Sequence, residues 1–346
     1  MQTRQFAAIF LTLALAACGG DGSSYSSPPP AESYTTARAY IESEGFVGSV
    51  LVSKSGVDVL RDGFGFANKA QQLRNRSDTR YRIGSVSKSF TALAVVQLHS
   101  TGLISSYDDP IANYLPDLPR GDEITIRHLL THRSGIPDFL RQVDQDEYYT
   151  PAQLVGLFAP RDLEFAPGSD FSYSNSNYVT LGYLIEALTN MSYDQYLQVN
   201  VFGPLGMINT EYGASTITGV DYARGYLRRN QNDTARFVDM SIPYAAGALT
   251  STIADLEIWA RSFMERTLVP ANEYDAIFVE GEYGFAWIQG QVEGKTVYWH
   301  DGAINGFSAI VAMFPDDDGL VIALSNVQDQ GELLQRIVTT MAAREL

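Results

Sequence analysis

The chain has 346 residues, 45% of them hydrophobic and only 18% charged. A single core stops growing near ~250–300 residues, so one two-lobed domain or two domains are predicted, and a disordered or coiled-coil chain is excluded. With 24 basic and 40 acidic side chains the net charge is −16. Such a surface repels phosphate backbones and argues against a nucleic-acid partner.

The first segment reads as an export signal. Arg4 supplies a positive start, and an apolar run from Phe6 to Ala17 follows, too short to span a bilayer comfortably. It ends in Leu15-Ala16-Ala17-Cys18, and Cys18 is the only cysteine, so no internal disulfide can form. The tetrapeptide resembles a bacterial lipobox, which implies a signal over residues 1–17 and a lipid on Cys18. Gly19, where an Asp would favour the inner membrane, implies by the same resemblance an outer-membrane anchor facing the periplasm. Residues 18–33 are Gly, Ser and Pro rich and read as a flexible tether of roughly 20 Å.

The body, residues 34–346, begins with β signals. Val47–Ser53 and Val57–Phe66 are predicted strands joined at Ser55-Gly56. Helical spacing follows over Phe90–Ser100, Ile126–His132, Ala152–Phe158, Tyr178–Leu188, Tyr193–Val199 and Ile253–Met264, with Gly102 placed to end the first helix. Short strands are predicted at Tyr283–Gln289, Thr296–His300, Phe307–Phe314 and Gly319–Ser325, then a helix at Leu333–Arg344. The simplest assembly is an α/β (α+β) fold. One antiparallel sheet is built from both chain ends and flanked by helices (about 34–90 and 265–346), with a mostly helical lobe (about 91–264) inserted. The groove between lobes is the default site.

Three short motifs carry chemistry. In Ser85-Val86-Ser87-Lys88 the spacing puts Ser85 and Lys88 on one helical face. A serine hydroxyl needs a base, and a lysine serves once burial lowers its pKa. Tyr173-Ser174-Asn175 lies in a polar loop before a helix; read alone, it is equally an N-cap beside an exposed tyrosine. His300-Asp301-Gly302 ends a strand, where backbone N–H groups could face an oxyanion and Gly302 could admit a substrate backbone.

The ordered set Ser85-x-x-Lys88, Tyr173-x-Asn175 and His300-x-Gly302 resembles the serine β-lactamase and penicillin-binding-protein superfamily, most closely its class C-type branch. The flanks RHLLTHRSGIPD (127–138), AAGALTSTIADLEIWA (245–260) and HDGAINGFSAIV (300–311) share the resemblance. It implies Ser85 as acylated nucleophile, with Lys88 and Tyr173 sharing proton transfer. Asn175 would orient Lys88 and substrate, His300 would line the cleft, and the N–H groups of Ser85 and Ala303 would form the oxyanion hole. No metal or cofactor is implied. The antibiotic-hydrolysing members carry Lys-Thr-Gly where this chain has His300-Asp301-Gly302. A neutral histidine beside an acid grips a carboxylate poorly, which favours an esterase or D-amino-acid peptidase over a D-Ala-D-Ala carboxypeptidase or β-lactamase. The implied partners are a small-molecule ester, peptide or lactam and, through Cys18, a membrane. Other classes fit less well. His128 and His132 have zinc-like spacing, but HLLTH lacks the glutamate of HExxH enzymes. G-x-S-x-G is absent. A non-catalytic lipoprotein that binds peptidoglycan or a partner has no need of the intact four-residue set.

Overall fold

The computed structural model describes residues 36–216, 219–279 and 283–346. Cys18, the signal and the tether lie outside the described residues.

The centre is a six-stranded antiparallel sheet of β1 (Gly48–Lys54), β2 (Val57–Phe64), β3 (Ile288–Val292), β4 (Lys295–Ile304), β5 (Phe307–Phe314) and β6 (Gly319–Ser325). Its order is β2-β1-β6-β5-β4-β3, so the first strand of the body pairs with the last and carries β2 at its outer edge. The β1–β2 hairpin turns through Ser55 and Gly56, both at positive φ (50° and 74°), which suits the twist of the strands it joins. β5 and β6 are buried along their whole length. Alternation divides them between two cores. Ile310, Phe314 and Val321 pack with α1 (Ala37–Ser43) and the last helix, while Val311, Met313 and Ile322 face the helical part.

The helical part comprises α2 (Ser87–Ser100), α3 (Ile126–Leu130), α4 (Pro151–Phe158), α5 (Asn175–Thr189), α6 (Tyr193–Leu197), α7 (Tyr244–Gly247) and α8 (Ile253–Met264); α9 (Gly331–Arg344) closes the chain. α2 is the central rod. Eleven of its 14 residues are buried, so it packs all round rather than along one stripe. Phe90 stacks on Trp259 of α8 at 3.8 Å, and the Trp259 indole N–H bonds Ser89 Oγ at 2.9 Å. Burying side chains of this size contributes ~1.5–3 kcal/mol each. Gly102, at φ +80°, follows the Thr101 cap as predicted.

Several element ends differ from the sequence expectation. α2 and α5 begin three residues earlier, because their first turns are polar and carry no apolar period. α3 stops at Leu130, since His132 adopts φ +56°. The strand expected at Tyr283–Gln289 is instead Ile288–Val292. Ala286 at φ +59° and the Gly284 N–H to Trp287 O bond turn the chain there, leaving Tyr283 only an isolated bridge to Ile288.

Candidate active site

The turn before α2 meets the edge of β4. Gly84 takes φ +51°, and a Cβ there would come within 2.8 Å of Ala303 N and O. A Cβ on Gly302 would sit 2.0 Å from Ile83 O and 3.0 Å from Ser85 N. Both glycines are demanded by one contact. What crowds Gly302 is the chain's own backbone at Ile83–Ser85, not the open approach path expected for a substrate. The result brings the Ser85 turn and the Ala303 backbone side by side. Ala303 is exposed, and Ser85 is the one half-exposed residue in a buried stretch from Tyr81 to Val96. Beyond them, the Asn305 amide ties the β4–β5 hairpin to Gln145 Oε1 (3.1 Å) and Arg236 O (3.2 Å).

Lys88, one helical turn after Ser85, is 0% exposed. Its Nζ lies 3.0 Å from Ser85 Oγ, 2.8 Å from Asn175 Oδ1 and 2.8 Å from Ala246 O of α7. The last two partners can only accept. A neutral amine has two N–H groups and one lone pair, so these two carbonyls take the protons and leave the lone pair for the Ser85 hydroxyl. Burial pushes Lys88 down to about 7, and the carboxylates of Asp138 and Asp301 limit the fall.

Asn175 opens α5. Its backbone N–H (2.7 Å) and Nδ2 (2.8 Å) both donate to Asp138 Oδ2, which fixes Oδ1 toward Lys88. Asp138 Oδ1 accepts from Leu140 N at 2.8 Å, so the carboxylate is itself held. The Tyr173 ring lies 4.8 Å from Lys88 Nζ and stacks on the His132 ring at 4.2 Å. Burial holds its phenol well above the ordinary value, the Ser85 hydroxyl pulling the other way.

His300 is 1% exposed. Its Nδ1 donates to the Asp301 carbonyl, so Nε2 accepts from Tyr283 Oη at 2.8 Å. Burial, then the nearby Lys88, pushes it down to about 3. It therefore meets the cleft as a neutral ring whose two nitrogens are engaged. His132 is also buried and held well below its ordinary value by desolvation. Its Nδ1 accepts from Ser174 N (3.3 Å) and Asn177 Nδ2 (3.1 Å), which anchors the Tyr173 loop. His128 Nδ1 accepts from Thr125 N at 3.2 Å as part of an N-cap. The zinc-like pair is thus split between two structural tasks.

The structure gathers Ser85, Lys88, Tyr173 and Asn175 around one point, with Gly302 and Ala303 alongside and His300 behind Tyr283. The sequence pointed neither to Asp138 nor to the Ala246 carbonyl, and it showed His132 only as half of a zinc-like pair rather than as the anchor of the Tyr173 loop. Asp138 lay within a quoted segment, just after Gly135; the carbonyl left no signal, because any residue supplies one.

An antiparallel sheet flanked by helices, with a serine and a buried lysine at the foot of its central helix, defines a β-lactamase-fold protein of the serine-hydrolase kind. The family model described as Beta-lactamase matches residues 35–342, and the chain belongs to that family. It is similar to "Penicillin-binding protein 4*" of Bacillus subtilis (strain 168), 27% identical over 325 residues, covering 86% of this chain and 72% of the relative. Among solved structures, the penicillin binding protein from Bacillus halodurans is 26% identical with a TM-score of 0.78, covering 90% of this chain and 99% of that one. The D-amino acid amidase from Ochrobactrum anthropi SV3 shares the fold at 24% identity and a TM-score of 0.77, covering 87% and 97%.

Proposed function

We propose that the protein hydrolyses esters or amides through an acyl-enzyme on Ser85, as an esterase or D-amino-acid peptidase of the class C-type branch. The observation that carries this is the buried Lys88 amine, lowered to about 7, with Nζ 2.8 Å from each of two carbonyl oxygens and 3.0 Å from Ser85 Oγ, so that its neutral form turns the lone pair to the hydroxyl. As Oγ attacks the substrate carbonyl, Lys88 takes its proton. The N–H groups of Ser85 and Ala303 hold the oxyanion. The tetrahedral centre then expels its alcohol or amine. Tyr173, kept protonated by its raised pKa, donates to that leaving group and is recharged by the proton that Lys88 took from Ser85, so that Lys88 and Tyr173 act as a pair. Water, deprotonated by the same pair, releases the acid and restores Ser85. Asn175, fixed by Asp138, keeps the amine aimed.

The His-Asp-Gly edge supports a substrate without a carboxylate to be gripped. His300 is neutral, and Asp301 repels an anion. Similarity to penicillin-binding proteins favours a D-Ala-D-Ala carboxypeptidase or β-lactamase as the second reading. A fluorophosphonate probe should add its mass at Ser85, and Ser85→Ala should abolish both labelling and turnover. Labelling elsewhere, or none, removes the proposal. A short-chain p-nitrophenyl ester, a D-Ala-D-Ala peptide and a chromogenic cephalosporin, compared in parallel, separate the two readings. The lipobox-like sequence at Cys18 supports export and outer-membrane anchoring. Cys18→Ser should release the protein from membranes, and continued sedimentation with them would overturn the anchor.

A further inference from the structure

A cavity of about 350 Å³ lies between the C-terminal end of α5, the start of α6 and the chain before α7. Neither Ser85 nor Lys88 lines it. Five tyrosines do: Tyr148, Tyr149, Tyr193, Tyr212 and Tyr244. The Tyr193 ring stands 5.3 Å from Tyr244 and, edge-on, 6.4 Å from Tyr212. Three carboxylates, Glu186, Asp194 and Asp239, share the wall with them, and no lysine or arginine among the described residues does. Arg82, which feels the Asp239 charge, commits its Nη2 to the carbonyls of Ala214 and Ser215.

The cavity also holds unmet polar groups. Tyr244 is 5% exposed, and its hydroxyl is buried beside the Glu186 carboxylate without a hydrogen bond of normal geometry. Glu186 Oε1 accepts from Tyr193 N at 2.9 Å, which fixes the carboxylate in the wall. Tyr244 is further held at φ +39°, outside the backbone region an ordinary side chain prefers. A buried hydroxyl without a well-formed hydrogen bond and a strained backbone are the pattern of a site shaped for something other than packing. Electron-rich ring faces beside three carboxylates recognise one chemistry, a cation with an apolar surface. The volume suits a small molecule.

We infer that this cavity is a second ligand site, separate from the Ser85 cleft, and that it takes a small organic cation of the alkylammonium class. The tyrosine faces hold the alkyl groups while Glu186, Asp194 and Asp239 balance the charge.

The test is titration calorimetry on the full chain carrying Ser85→Ala, with choline as the cation and 3,3-dimethylbutanol as its neutral isostere. Disabling the nucleophile makes the result independent of the hydrolase reading. Choline should saturate one site with a Kd of about 1 mM or tighter, and the alcohol should bind at least about tenfold more weakly. Glu186→Gln keeps the bond to Tyr193 N and removes the charge; Tyr148→Ala alters a side chain that is 69% exposed. Each should weaken choline about fivefold or more. Absence of saturation by about 50 mM, equal affinity for the alcohol, or an unchanged Kd in both variants overturns the site.

Discussion

Lys88 at the foot of α2 and His300 on β4 are both bases sealed from water, 0% and 1% exposed, yet their surroundings drive them apart. Lys88 faces two carbonyl acceptors, with Asp138 and Asp301 in range, and settles near 7. His300 receives a phenolic proton from Tyr283 on the nitrogen that would otherwise accept one, has the Lys88 charge nearby, and falls to about 3. Burial sets the sign of both shifts. The chemistry of the partners sets where each stops. At neutral pH one base can cycle a proton and the other cannot, so in the proposed hydrolase Lys88 is the proton carrier and His300 a prop for Tyr283.

The sharpest way to break this contrast is Lys88→Ala. It should lower the acylation rate by about 10³-fold or more, read from the burst with a p-nitrophenyl ester, with the circular dichroism of the fold preserved. A rate within about tenfold of the unmodified protein would give the base role to another group.

Asp138→Ala comes next. It frees the Asn175 amide, which should cost about 10–100-fold in kcat/KM through misalignment of Lys88. It also removes a negative charge that raises the lysine pKa, so the pH midpoint should move down. A role confined to stability would leave that midpoint in place.

The smallest effect concerns pH alone. Only the neutral amine accepts the Ser85 proton, so kcat/KM should rise about tenfold per pH unit below about 7 and level off above it. Asp301→Asn deletes the other carboxylate that raises Lys88 and should shift the midpoint to lower pH by about one unit or less. His300→Gln should leave it unmoved. A midpoint that follows His300 and ignores Asp301 would make the histidine the titrating group.

Much of the architecture was legible in the sequence. The limits of β5, β6 and α8 match the predicted spans, because the two strands are largely apolar runs and α8 is an amphipathic repeat, each closed by turn or cap residues. The Ser55-Gly56 turn follows from two residues. The i, i+3 spacing of Ser85 and Lys88 placed a hydroxyl and an amine on one helical face before any fold was known. The starts of α2 and α5 were not legible, since their first turns are occupied by the polar residues of the site.

Whether that amine could act as a base was decided by tertiary structure alone. Its acceptors come from 87 and 158 residues further along the chain, and Asp138 both holds Asn175 and acts on the amine through its charge. Gly302 looked like room for a substrate but is required by the chain's own backbone at Ile83. Secondary structure is encoded by neighbours a few residues apart. A buried proton equilibrium depends on every polar atom within a few ångströms, whichever segment supplies it.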